Sequence, residues 1–237
     1  MTTHQKLLKP QVVTHNSNGV GHIDIKDPSK PLNVLLGPVN VNPQDKVELF
    51  WGDIPEPVSH YTHPIDNPGQ AIFITLDVET RLIQSELKPV PVRYRYIPFP
   101  GGAPQDSDIA HIRVKLEIPG GVDIDPATPY ENEALQPPQV QPAGVITSPQ
   151  GVSVIVAPYL NMSVGDRVSV AWDDRKVDYP PLGEAQLNRN LLIAIPTEIV
   201  EAIGSSSSLP VRYEIHDVVG NWSKHSPATR VVVDLEA

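Results

Sequence analysis

The chain has 237 residues, a formal net charge of −10 and no cysteine. Without thiols there are no disulfides, thiolate metal sites, iron–sulfur clusters or cysteine nucleophile. The acidic balance, with no cluster of Lys and Arg to displace counterions from phosphate, argues against nucleic acid and anionic membrane as partners.

Two modules of about a hundred residues fit this length, and each is large enough to bury a core of its own. No apolar run approaches the ~20 residues that a membrane-spanning helix needs. Met1 to Lys9 is polar and lacks the apolar stretch of a secretory signal. The expectation is a protein that stays in the cytoplasm or leaves by a route needing no N-terminal signal. The 27 prolines and 15 glycines are spread through short β-branched runs. In that setting they read as turns and edge strands.

Taken in chain order, Leu8 to Val12 opens a first copy of a repeated pattern. Leu32 to Leu36 is a predicted strand ended by Gly37-Pro38. Asp45 leads into a half-buried strand closing at Trp51. Ala71 to Leu76 is a short buried strand, followed by a helical turn near Val78 to Ile83 that Asp77 is placed to cap. Pro91-Val92-Arg93-Tyr94 and Ile112 to Glu117 complete a hairpin. The order then recurs. Leu135 to Val140 matches Leu8 to Val12, Val152 to Val156 ends at Ala157-Pro158, and Asp166 leads to Trp172. Leu191 to Ile195 precedes a turn in which Ile199, Val200 and Ile203 share a face and Gly204 stops it. Pro210-Val211-Arg212-Tyr213 and Val231 to Glu236 close the copy. Both copies end in Leu-Glu, at Leu116-Glu117 and Leu235-Glu236. From the Leu32 strand onward, matched positions lie about 119–121 residues apart, the mark of a tandem repeat.

These boundaries predict module 1 over residues 1–118, a Pro/Gly/acidic linker over 119–134, and module 2 over 135–237. Regular short strands with frequent turn signals predict an all-β fold, two tandem β-sandwiches with Greek-key connections.

Two stretches carry a family resemblance. Tyr213-Glu214-Ile215 followed by Asp217 to Ser223 and a terminal strand resembles the last hairpin of bacterial immunoglobulin-like repeats. Asn161 to Asp166 before a strand ending in Trp172 looks like the same repeats. The first copy departs from the pattern where Pro98 to Pro104 stands in place of Asp217 to Ser223. Such modules are strung together in large surface and adhesin-like proteins, so the resemblance implies immunoglobulin-like sandwiches and a role in binding or spacing.

The repeat is an internal control, because a residue present in both copies is most simply structural. Trp51 and Trp172 read as core, Arg93-Tyr94 and Arg212-Tyr213 as a strand pair whose tyrosine ties a loop, and Asp45 and Asp166 as turn-fixing carboxylates. His60, His63 and Asp66 are close in sequence, but an extended loop gives them no metal geometry. Asp123 and Asp125, with Glu131 and Glu133, are oxygen donors without the spacing or glycine of a calcium loop; a solvated acidic linker is the favoured reading. No nucleophile elbow, zinc-protease motif or phosphate loop occurs. Asp217, Ser223, His225 and Ser226 are ordinary polar-loop residues without a visible oxyanion hole.

What remains are aromatics without a counterpart. Trp222, with Lys224 and His225, falls in a predicted hairpin loop, and Ala103 occupies the aligned position. Phe99, between Pro98 and Pro100, is the first copy's candidate. An exposed tryptophan can stack on a sugar, enter a partner's pocket, or fold back over its own sandwich. The sequence therefore predicts a non-enzymatic binding or spacer protein that recognises a protein or glycan through loops and needs no cofactor. An accessory subunit bound through a sheet edge and a hydrolase with an unseen site are the rival readings.

Overall fold

A computed structural model describes residues 5–125 and 127–235. Part of the polar start read as lacking a signal, Pro126 of the predicted linker, and Glu236 of the second Leu-Glu ending lie outside the described residues. The chain divides into two compact units, Met1–Leu116 and Glu117–Ala237.

The first unit carries β1 (Gln11–Val12), β2 (Leu32–Val41), β3 (Lys46–Trp51), β4 (Ser59–Thr62), β5 (Gln70–Val78), β6 (Val90–Ile97), β7 (Gln105–Asp106) and β8 (Ala110–Ile112). One sheet runs β1-β2-β5, and the other runs β4-β3-β6-β7 with β8 also on β6. The chain therefore changes sheet between β2 and β3, between β4 and β5, and between β5 and β6, which is Greek-key wiring. The strands form because apolar side chains alternate. Along β2, Leu32, Val34 and Leu36 are buried while their neighbours are not, the period of two that lets one face meet a core. Val34, Leu36, Val47, Leu49, Trp51 and Tyr94 lie at that centre.

The second unit repeats this plan with β9 (Gln139–Gln141), β10 (Val145–Ile146), β11 (Ser153–Val156), β12 (Arg167–Trp172), β13 (Arg175–Asp178), β14 (Leu191–Ala194), β15 (Ser206–His216), β16 (Trp222–His225) and β17 (Thr229–Val233). Its sheets are β14-β11-β9 and β10-β17-β15-β12-β13, with β16 on the side of β15. Strand β10 runs parallel to β17. In the first unit a single parallel bridge, Val20 to Val114, stands in the corresponding place. Val154, Val156, Val168, Val170, Trp172 and Tyr213 fill the core. Both units are immunoglobulin-like β-sandwiches.

Several local expectations change. Gly37-Pro38 does not end its strand; β2 continues to Val41 through a register shift against β5 between Leu36 and Val39. Gly37 takes φ +105°, and a Cβ there would meet the Ile72 carbonyl at 2.8 Å, so the irregularity needs glycine. Asp77 is a strand residue of β5. It does not cap the following turn, Thr80–Leu82, whose N-cap position is Glu79. Gly204 does close α1 (Thr197–Ile203), with φ 73° and its N–H bonded to the Val200 carbonyl.

The segment between the two copies is tied to the second unit. Asn132 is buried. Its Nδ2 donates to the carbonyls of Gly121 and Ser223, each at 3.1 Å, and its Oδ1 accepts from Ala134 N–H at 3.0 Å. Gly120 N–H bonds the Leu160 carbonyl at 2.7 Å. A proline- and glycine-rich composition marks irregular backbone, but such backbone can still be held by one well-placed amide.

Candidate functional site

The aligned tryptophans are core: Trp51 is 3% and Trp172 0% exposed. The aligned aspartates fix turns. Asp45 accepts from Asn42 N–H, the Tyr96 hydroxyl and Phe99 N–H at 2.6, 2.5 and 2.8 Å. Asp166 accepts from the N–H and hydroxyl of Ser163 and from the Tyr159 hydroxyl, at 2.9, 2.8 and 2.9 Å. The aligned tyrosines differ. Tyr213 donates to the Gln136 carbonyl at 3.0 Å, while the buried Tyr94 hydroxyl has no partner among the described residues. The buried His63 is fixed by the Tyr61 hydroxyl at 3.0 Å and the Pro68 carbonyl at 3.1 Å.

Asp123 and Asp125 organise the inter-copy segment. Asp123 accepts from Asp125 N–H at 2.9 Å and from Lys224 Nζ at 2.5 Å. The Lys224 bond leads the influences that hold its carboxyl below the usual range. Asp125 caps Ala127 N–H at 3.0 Å. Among the described residues no group of three or more His, Asp or Glu side chains is arranged to hold a metal ion. Lys224, named from the sequence as a ligand contact, is thus committed to Asp123. Phe99 is 54% exposed in a loop whose backbone Asp45 anchors.

Trp222 and His225 are not on a hairpin loop. They lie on β16, paired with β15 so that His216 faces Trp222 and Glu214 faces His225, with a register shift between. Lys224 takes up the irregularity with φ 64°. On β15, Val211, Tyr213 and Ile215 point into the core, so Arg212, Glu214 and His216 share the outer face. Strand register extends that face. Arg167, Ser169 and Ala171 of β12 stand opposite His216, Glu214 and Arg212, and Lys176 and Asp178 of β13 stand opposite Ala171 and Ser169.

Glu214 is the hub. Its residue is only 6% exposed although it points away from the core. Trp222 Nε1 donates to one carboxylate oxygen at 2.9 Å, and Lys176 Nζ bonds the other. Burial pushes this carboxyl up, but the hydrogen bond and charge of Lys176, with help from Trp222 and His225, bring it below its ordinary value. Trp222 remains 36% exposed. Its ring runs nearly parallel to His216 at 6.3 Å and edge-on to His225 at 5.7 Å. Burial pushes both imidazoles down, against the pull of Glu214, which favours their neutral forms. The result is an aromatic patch fixed by a buried carboxylate, able to offer ring faces to a ligand. Sequence reasoning named Trp222 and His225 but missed Glu214, His216 and Lys176. Their signal was the alternation along Arg212, Glu214 and His216.

The first unit's matching face is closed on itself. Arg93 lies over the Phe50 ring at 3.9 Å and Arg95 at 5.3 Å. Both arginines pair with Asp106, at 3.1 and 2.8 Å.

No protein-family model matches the chain, and no curated protein matches it. Among solved structures it is similar to the human OSCAR ligand-binding domain, at 11% identity and TM-score 0.36, over 96% of this chain and 100% of that one. It is also similar to a tetra-tandem repeat in the extending region of a large adhesion protein, at 13% identity and TM-score 0.33. That match covers 97% of this chain and 49% of the other. The adhesin domain of Epf from Streptococcus pyogenes matches at 13% identity and TM-score 0.28, over 88% of this chain and 74% of that one. The neighbours are thus adhesin-type and immunoglobulin-like domains, while the class assigned here, a tandem of two such sandwiches, stands on the strand pairing. No helix among the described residues is long and apolar enough to cross a membrane.

Proposed function

We propose that the chain is a non-enzymatic, adhesin-like binding protein that holds a protein or glycan against the outer sheet face of its second module. One observation carries this reading: the exposed Trp222 is fixed by its indole N–H to the buried Glu214. An aromatic pinned in advance contributes contact area at little entropic cost on binding. The test is capture of glycans on an array, and of proteins from the native host, by the full chain and by Trp222→Ala. A ligand should be retained by the native chain and lost by the variant while circular dichroism stays native. Retention of every captured ligand by Trp222→Ala would refute this face as the site.

A second reading, strand addition at a sheet edge, has its own support. The Pro91 carbonyl accepts from Gly52 N–H on the β3 side, and Pro91 stands opposite His111. The Pro91 carbonyl thus faces away from β8, so at this non-hydrogen-bonded pair the backbone N–H and C=O of His111 point to the outer edge of β8, which Val20 covers from Arg113 onward. Removing that donor with His111→Pro should abolish partner binding if this edge is used, and leave it intact if the Trp222 face is used.

A further inference from the structure

The two modules place different chemistry on one scaffold. By strand register, Arg93, Phe50 and Asp106 of the first correspond to Arg212, Ala171 and His225 of the second. In the first module the arginine is consumed by its ring and carboxylate neighbours. In the second both of those partners are replaced. Arg212 makes no ion pair or side-chain hydrogen bond among the described residues, and neither does the exposed Arg167. Arg230, opposite Pro210, lies on the same face and bonds only Ser208. Of the acids on this face, Glu214 is taken by Lys176, Asp178 accepts from the Ser169 hydroxyl at 2.6 Å, and Glu131, bridged to His225, lies beyond β16, on the side away from β12 and Arg167. A chain of net charge −10 therefore gathers unpaired guanidinium groups beside its one exposed tryptophan.

We propose that this face of β12, β15 and β16 binds an acidic glycan, a polysaccharide bearing carboxylate or sulfate groups. Arg212 and Arg167 take the anionic groups and Trp222 stacks on a sugar ring. The inference rests on the binding role proposed above for this face, and adds the ligand class. Guanidinium groups pair carboxylate and sulfate oxygens through a planar fork of donors. The Trp222 N–H is already committed to Glu214, so what the indole offers is its π-surface, the partner of a sugar's C–H face. Arg167 and Arg212 sit on adjacent strands but four positions apart in register, which sets them about 14 Å apart, a spacing that suits a linear chain whose charges repeat.

The test uses the full chain with four probes: heparin for sulfate, polygalacturonate for carboxylate, dextran as a neutral glycan and poly-aspartate as an acidic peptide. Trp51 and Trp172 are buried, so a ligand-dependent change in tryptophan fluorescence reports Trp222 and should vanish in Trp222→Phe. Heparin or polygalacturonate should bind, more weakly as salt rises, and dextran should not. Arg212→Gln should weaken binding about tenfold, as loss of a charge-assisted hydrogen bond does. Arg167→Gln, at an exposed position that leaves the fold intact, should act in the same direction. Arg93→Gln, the same residue type in the other copy, should leave affinity within about twofold. Equal weakening by Arg93→Gln and Arg212→Gln would overturn the proposal, as would tighter binding of dextran or poly-aspartate than of both acidic glycans. If neither acidic glycan binds but a Trp222-dependent protein or neutral ligand is found, the ligand class fails and the binding face stands. If no ligand depends on Trp222, both fail.

Discussion

Removing one hydroxyl at the same place in each module should have opposite effects. Tyr94 and Tyr213 occupy aligned positions of β6 and β15, and both are buried, at 0% and 1% exposure. Burial pushes both phenols up to about 12, with the charge of Asp108 adding to the effect on Tyr94. The Tyr213 hydroxyl is hydrogen-bonded to the Gln136 carbonyl at 3.0 Å. Tyr213→Phe therefore loses that bond, at a net cost of about 1 kcal/mol. Gln136 itself is exposed, so water can satisfy its carbonyl and the cost stays near that value. The Tyr94 hydroxyl is desolvated without a partner among the described residues. Tyr94→Phe therefore relieves a penalty, and should be neutral or stabilise by about 1 kcal/mol. The predicted difference of up to about 2 kcal/mol corresponds to roughly 8–16 °C in the melting temperature of a module of this size. Urea unfolding of the full chain, followed by the fluorescence of Trp51 and Trp172, reads both modules, and a Trp51→Phe background assigns the transitions. If Tyr94→Phe destabilises its module as much as Tyr213→Phe does, the Tyr94 hydroxyl is bonded in the native protein and the reasoning is wrong.

The same unfolding assay should separate Trp172→Ala from Trp222→Ala. The first removes a fully buried ring and leaves a cavity, at a cost of about 3–5 kcal/mol; the second removes mainly the hydrogen bond to the Glu214 carboxylate, at about 1.5–3 kcal/mol for a charged acceptor, and equal costs would make Trp222 a core residue. Acid should weaken the second module in two stages. His216 and His225 are held below their ordinary value of 6.5, chiefly by burial, so the unfolded chain takes up protons first and stability falls as pH drops below about 6.5. The charges facing them are Glu214, Lys176, Asp217 and, across the strand pair, Arg167 for His216, and Glu214, Arg212, Lys176 and Glu131 for His225. Glu214 is held below its ordinary 4.5, so its contribution is present above about that pH and lost beneath it. A melting temperature of the second module that stays flat or rises between pH 7 and about 5 would contradict the histidine assignment, and one that falls no further below about pH 4.5 would contradict that of Glu214.

The fold was legible because its signals are local or duplicated. Alternation along β2 and β6, the two tryptophans, the turn aspartates and Gly204 each act through neighbouring residues or recur at a fixed offset. The failures came where distant partners decide. Gly37-Pro38 reads as a strand end, yet pairing with β5 on both sides of the irregularity carries β2 onward. Trp222 to His225 reads as a loop because it is short and polar. Pairing with Glu214 and His216 makes it a strand, with Lys224 absorbing the misfit. Residues 119–134 read as a linker from composition, and no local signal shows that Asn132 reaches Ser223. Of the candidate site, the aromatic was visible as an odd residue in the repeat. The carboxylate that fixes it was hidden, because a glutamate in a strand gives no sign of being covered.

Comparison of the copies then separates two kinds of constraint. Positions whose side chains point into each sandwich, such as Trp51 with Trp172 or Tyr94 with Tyr213, hold the same residue, because each module must close a core of the same shape. Positions one step along the same strands point outward, and there the copies part: Phe50 against Ala171, Arg95 against Glu214, Asp106 against His225. Packing does not explain that divergence, since both outer faces sit on equivalent strands. The first module answers its arginines with its own ring and carboxylate. The second replaces both and sets an anchored indole alongside. A guanidinium that no neighbouring carboxylate holds stays free to pair an anionic ligand, and that asymmetry is the physical reason to look for a ligand on the second module.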